Sequence, residues 1–129
     1  MRQVKQYEIE VRRRNPEGIP IDKSDSLQGT LDMLILKIVA LGPVHDHGIS
    51  LRIRRISKEV LQVQQGSLYP ALHRLEKRRW LEAQWGESEK GRQAKFYKLS
   101  AKGRKQLESE ASNWNRLAGA VANIMQTAQ

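Results

Sequence analysis

The stretch from Gln64 to Glu87, QQGSLYPALHRLEKRRWLEAQWGE, decides the fold. At a turn of about 100° per residue, Leu68, Ala71, Leu72 and Leu75 share one side of a helix. Pro70, His73 and Lys77 fall opposite, flanked by Tyr69 and Arg74. A proline lacks the backbone N–H and is harmless only in a first turn, so this helix is predicted to start near Ser67, with that serine as its N-cap. Its tip then presents Gln65, Gly66, Ser67, Tyr69 and Pro70. Beyond Trp80 the period changes to two: Leu81, Ala83 and Trp85 alternate with Glu82 and Gln84, and Lys95, Tyr97 and Leu99 alternate with Ala94, Phe96 and Lys98. The polar, glycine-bounded run from Gly86 to Gly91 between them reads as the turn of a hairpin.

Upstream, Ile49, Ile53, Ile56 and Val60 are spaced by four, three and four residues, an amphipathic helix with Arg52, Arg54 and Arg55 on its other faces. Leu61-Gln62-Val63 is a short strand candidate between the two helices. Earlier still, nine of the twelve residues from Thr30 to Leu41 are apolar. A helix so apolar is expected to be buried on more than one side; Thr30 or Ser26 could cap it, and Gly42-Pro43 ends it. Downstream, Ser100 caps a last helix whose Leu107, Ala111, Trp114, Ala118, Val121 and Met125 follow a 4-3-4-3-4 spacing, as in a coiled-coil seam that Leu117 and Ile124 widen.

The order of helix, helix, short strand, helix, hairpin and long helix is that of a winged helix-turn-helix with an added C-terminal helix, a mainly α fold with a small β-hairpin wing. Three parts are expected. Residues 1–26, with Arg12, Arg13 and Arg14 followed by Pro16, Gly18 and Pro20, read as a basic extension, mobile on composition, in which Tyr7, Ile9 and Val11 could form a short strand. Residues 27–99 form the winged domain, and residues 100–129 the C-terminal dimerisation helix. As one helix, residues 101–126 would span ~39 Å at ~1.5 Å per residue, longer than a small winged domain can cover. Its far half, with Trp114, Leu117, Val121, Ile124 and Met125, needs a second surface. The first helix of a partner copy, with Leu31, Leu34, Ile35 and Ile38, is the expected one.

Charge points to the ligand class. The 129 residues carry 23 Lys and Arg against 14 Asp and Glu, a net charge of +9, which favours a polyanion: nucleic acid first, an acidic membrane surface second. From Lys90 to Lys105 there are seven basic residues and no acid, a stretch suited to phosphate neutralisation. Phosphate contacts carry no sequence information, so base reading falls to Gln65, Ser67, Tyr69, His73 and Arg74 on the tip and outer side of the third helix. Pattern and charge leave DNA, RNA and protein as possible partners.

At this point the residues themselves are recognisable. LQGTLDMLILKIVALGPVHDHGISL (27–51), LQVQQGSLYPALHRLEKRRWLEAQWGESEKGRQAKFYKLSAKGRKQL (61–107) and Trp114-Asn115-Arg116 resemble the PadR family of bacterial winged helix-turn-helix transcriptional regulators, of the type with a short C-terminal helix. The resemblance covers about Leu27 to Met125. It implies a homodimer, usually a repressor, that binds an inverted repeat in double-stranded DNA and often releases it when a small-molecule effector binds. It places Ser67, Tyr69 and Pro70 in the recognition-helix signature, and Lys90, Arg92 and Lys95 in the basic wing. Trp114 matches an aromatic that in some similar regulators lines an effector pocket at the dimer centre. The chain departs from the pattern at Ile49, where the family often has tyrosine, and in residues 1–26, which have no counterpart.

Several single residues have a plainer reading. His45 and His47 flank Asp46 like a metal pair but lack a third nearby ligand, so they read as loop residues and no metal or other cofactor is expected. Trp114 is ordinary seam packing on pattern alone, and Trp85 reads as packing at the base of the wing. Arg12 to Arg14 suit either a solvated run or a minor-groove arm. No phosphate-binding glycine loop or Ser-His-Asp arrangement stands out, so an enzyme is not expected. The different-class alternative is a winged-helix adaptor that binds protein or RNA. The chain has no cysteine, its longest apolar stretch (Leu31 to Leu41) is too short to span a membrane, and its start is too polar for a signal peptide. A bacterial cytosolic or nucleoid protein is expected, with no separate ligand domain.

Overall fold

The computed structural model describes the backbone of residues 18–21 and 25–128, with the side chains of all of these except 25–28. The elements run β1 (Ile19–Ile21), α1 (Asp25–Ala40), β2 (Val44–His45), α2 (Asp46–Ile56), β3 (Leu61–Val63), α3 (Gln65–Lys77), β4 (Leu81–Glu87), β5 (Gln93–Leu99) and α4 (Ala101–Met125). This is the expected mainly α winged helix-turn-helix with a long C-terminal helix. The Tyr7–Val11 strand, the Arg12–Arg14 run and the Ser26 side chain lie outside the described residues.

Helix α1 is the hub. Leu31, Ile35, Leu36, Ile38 and Val39 are all buried, because α2, α3, α4 and β5 pack around it. This corrects one expectation: Leu31, Ile35 and Ile38 are at most 5% exposed within a single protomer, so they offer no free surface to a partner. Of the four α1 residues expected in a dimer interface, only Leu34 is partly exposed, and it too packs on the core. The third helix contributes Leu68, Ala71, Leu72 and Leu75, each no more than 1% exposed, as its spacing predicts. Burial of a leucine side chain is worth up to ~1.5–3 kcal/mol, so this inner stripe pins α3 firmly to α1.

Two pairings lay beyond local pattern. Strand β1 runs parallel to β3, with Ile19 opposite Leu61 and Ile21 opposite Val63. Ile21 is 1% exposed and belongs to the core, so the compact part begins before Leu27. Strand β2 pairs antiparallel with β5, giving the wing a three-stranded sheet of order β2-β5-β4. The hairpin itself is as expected, with Leu81 opposite Leu99, Ala83 opposite Tyr97 and Trp85 opposite Lys95. Its turn closes through Ser88 N–H donating to the Arg92 carbonyl (2.7 Å) and Gly91 N–H to the Ser88 carbonyl (2.9 Å). Gly91 has φ +73°, which glycine adopts at no steric cost.

The wing and the last helix are locked at one joint. Ser100 caps α4, its Oγ accepting from Gly103 N–H at 2.9 Å while donating toward the carbonyls of Arg79 and Trp80. A Cβ at Gly103 would lie 2.1 Å from the Trp80 carbonyl oxygen. The Arg78 guanidinium sits 5.1 Å from the centre of the half-buried Trp80 ring. Trp80, rather than Trp85, thus packs at the base of the wing.

Candidate nucleic-acid interface

Helix α3 starts earlier than its sequence suggests. Gln64 is the N-cap, with the N–H groups of Ser67 and Leu68 both donating to its carbonyl at 3.0 Å, and the helix begins at Gln65. Pro70 therefore lies in the second turn, not the first. Ser67 is not the cap either: it is 6% exposed, faces inward, and its Oγ has no partner among the described residues. Buried this way, its hydroxyl is not presented to a ligand. Gln65 is half-buried.

The outward face of α3 consists of Tyr69, which is 51% exposed, with exposed Pro70, His73 and Lys77. Lys90 and Arg92 are exposed at the hairpin turn. Between α3 and the wing runs an open groove of about 530 Å³ whose walls include Tyr69, His73, Glu76, Trp85 and Lys95. The structure thus brings Tyr69 and His73 of α3 and Trp85 and Lys95 of the wing to the two sides of one groove. That is the arrangement in which a helix enters a major groove while a hairpin follows the adjacent backbone.

Three acids organise this face, and none was legible as a site residue. Tyr69 Oη donates to Asp46 Oδ2 at 2.5 Å. That bond, with burial and the carboxylate's charge added, pushes the Tyr69 phenol up to about 12. Asp46 is itself fixed at the start of α2, where its Oδ1 accepts from His47 N–H (2.8 Å) and the His45 Nδ1 caps Gly48 N–H (3.0 Å). Glu76 holds Lys95 Nζ at 2.9 Å; this contact raises the ammonium's pKa and keeps it charged. Asp32 on α1 holds the Arg74 guanidinium at 2.7 Å, yet burial outweighs that pair and leaves the Asp32 carboxyl above its ordinary value.

These pairs sort the sequence-derived candidates. Arg74 is tied back to α1 and Lys95 is tied across to α3, whereas His73 lines the groove and Lys77, Lys90 and Arg92 are exposed. The partners are 42, 19 and 23 positions apart, too far for any periodicity to reveal. His45 meets Phe96 edge-on at 5.6 Å and stacks on His47 at 6.5 Å. Among the described residues no three histidine, cysteine, aspartate or glutamate side chains gather as a metal site requires. Trp85, expected to pack under the wing, is instead 66% exposed.

The far half of α4 carries Trp114, Leu117, Val121, Ile124 and Met125 on its surface, between 45% and 77% exposed. Among the described residues, no helix is long and apolar enough to cross a membrane.

Comparison with known proteins places this geometry. Residues 35–109 match the transcriptional regulator PadR-like family. The structure of a PadR-like transcriptional regulator from Bacillus cereus is 30% identical and superposes with a TM-score of 0.71, over 81% of this chain and 100% of that one. A transcriptional regulator from Clostridium thermocellum is 28% identical, with a TM-score of 0.70 over the same shares. An uncharacterised protein of Lysinibacillus sphaericus is 28% identical over 92 residues, 71% of this chain and 84% of its own.

Proposed function

The chain belongs to the PadR-like family of DNA-binding transcriptional regulators, and from that premise we propose that it is a homodimeric repressor of an inverted-repeat operator. The observation that carries this reading is the groove in which Tyr69 and His73 of α3 face Trp85 and Lys95 of the wing, with Pro70 and Lys77 exposed on α3 and Lys90 and Arg92 exposed at the wing turn. Tyr69, Pro70 and His73 read base edges from α3, with Gln65 at the helix tip. Lys77, Lys90 and Arg92 neutralise phosphates. Arg74 and Lys95 act in their ion pairs, shaping the surface more than adding net charge to it. Ser67 serves the helix packing.

The exposed apolar seam of α4 supports the dimer, and a two-fold pair would set the recognition helices ~34 Å apart along one face of DNA. The same pairing would bring two Trp114 side chains toward the molecular centre, where an apolar or aromatic effector could bind and shift that spacing.

The test is fluorescence anisotropy with a duplex from the chain's own upstream region against a scrambled duplex, over a salt series, with light scattering for mass. We expect preference for the upstream duplex by a dimer. Changing both Lys90→Ala and Arg92→Ala removes four phosphate contacts from a dimer and is expected to flatten the slope of log affinity against log salt by about 3.6, since each phosphate neutralised contributes ~0.9. Equal affinity for both duplexes overturns the operator reading, and salt-insensitive binding to protein or duplex RNA replaces it with the adaptor.

A further inference from the structure

One face of the wing runs past the core it serves. Successive cross-strand pairs on that face are Leu81 with Leu99, Ala83 with Tyr97, and Trp85 with Lys95. The first pair is buried, at 1% and 7% exposed, and Tyr97 in the second is 5% exposed; in the third, Trp85 is 66% exposed. Phe96 covers the opposite face, where a Cβ on Gly86 would meet its ring at 3.2 Å. Trp85 is a large aromatic left in water on the two-stranded end of the wing, and what makes its exposure informative is the set of residues around it.

Trp85 is not an isolated patch. It lines the groove between wing and α3 with Tyr69, His73, Glu76 and Lys95. Asp46 and Glu76 line the same groove, Asp46 accepting from Tyr69 and Glu76 paired with Lys95; beyond it Lys77 is exposed on α3, and Lys90 and Arg92 are exposed at the wing turn beside Glu87 and Glu89. The net charge of +9 and the exposed Lys77, Lys90 and Arg92 suit a polyanion. When α3 lies in a major groove, the strand that borders it must pass between α3 and the wing, and what that strand offers there is alternating deoxyribose and phosphate.

We propose that Trp85 is a DNA-contacting residue that lays its indole face on a deoxyribose of this strand while its Nε1–H donates to the neighbouring phosphate. The inference rests on the operator-binding reading above and names a contact within it. An indole suits this position because it joins a broad apolar body to a single polar donor. The contact positions the duplex rather than reading bases, since sugars and phosphates carry no base identity. It also neutralises no charge.

That last property makes it testable apart from the basic residues. Wild type, Trp85→Ala, Trp85→Phe and Arg92→Ala are titrated with the upstream duplex and with a scrambled duplex over a salt series, following anisotropy and tryptophan emission. Circular dichroism melts of each variant check the fold, and Trp85, mostly in solvent, is not expected to be needed for it. We expect Trp85→Ala to weaken binding to both duplexes by about tenfold, ~1.4 kcal/mol, with an unchanged salt slope, and Trp85→Phe to recover part of that loss. Arg92→Ala, which removes one contact from each protomer of the dimer, is expected to lower the slope by about 1.8. Emission quenching on DNA addition should be present in wild type and largely lost in Trp85→Phe, although Trp80 and Trp114 remain. Wild-type affinity for Trp85→Ala, or unaltered quenching in Trp85→Phe, overturns the contact while leaving the operator reading intact. A wild type that fails to prefer the upstream duplex overturns the operator reading itself.

Discussion

Asp46 puts a carboxylate in the groove proposed to meet DNA, at a cost in repulsion that another property must offset. What it supplies is orientation: accepting from Tyr69 Oη, it holds the ring of an otherwise exposed tyrosine across the joint between α2 and α3. Because the bond raises the phenol's pKa, its contribution to stability is fully present below the ordinary tyrosine value near ~10 and is lost as pH rises through about 12. Asp46→Asn removes the charge, so Tyr69 is expected to titrate closer to ~10. Ultraviolet titration of the variant against Tyr69→Phe checks this, and an unshifted curve would show that the carboxylate does not hold the ring. Gly103 matters for a different reason, being the point where α4 passes the backbone of Trp80. An alanine Cβ there would meet a carbonyl oxygen at 2.1 Å and Leu99 Cδ1 at 2.8 Å, and backbone cannot swing aside. Gly103→Ala is expected to lower stability by more than about 2 kcal/mol, read as a fall in the urea midpoint; an unchanged midpoint would mean the joint is compliant.

Among the elements, α1 and α4 show how an apolar stripe can be read correctly and placed wrongly. The all-round apolarity of α1 does signal burial on several sides. Those sides are filled by α2, α3, α4 and β5 of the same chain, leaving no room for a partner at Leu31, Ile35 or Ile38. The seam of α4 divides in the middle: Leu107 is half-buried against the core, while Leu117 and Ile124 are 58% and 72% exposed. The helix has 25 residues, ~37 Å at ~1.5 Å each, and outruns the domain under it. Replacing Val121→Glu and Met125→Glu together is expected to halve the mass seen by light scattering and to weaken operator binding, because one recognition helix makes half the contacts. A double variant that remains a dimer would place the dimer surface elsewhere.

Over the whole molecule, the net charge of +9 overstates what the interface has to spend on phosphates. Arg74 and Lys95 are already paired, while Lys77, Lys90 and Arg92 are exposed. A net charge describes long-range attraction to DNA; which cations reach a strand is decided by side-chain pairing. The three-stranded wing sheet and the β1–β3 pair likewise join segments far apart in the chain, with Val44 opposite Tyr97 and Ile19 opposite Leu61.

By itself, the sequence determined the order and type of the main helices and the hairpin, and the inner stripe of α3. Each is a periodic property, in which local geometry repeats every 3.6 or 2 residues and leaves its mark on neighbouring letters. The motif strings from residue 27 to residue 107 carried the family. Tertiary structure alone decided the rest. The inward turn of Ser67, the tethers on Tyr69, Arg74 and Lys95, the exposure of Trp85 and the recruitment of Ile21 to the core all depend on which distant residue arrives beside each one. The physical reason is range: a hydrogen bond or a packed ring acts over a few ångströms of space, while its partners here are separated by 19 to 42 positions of chain.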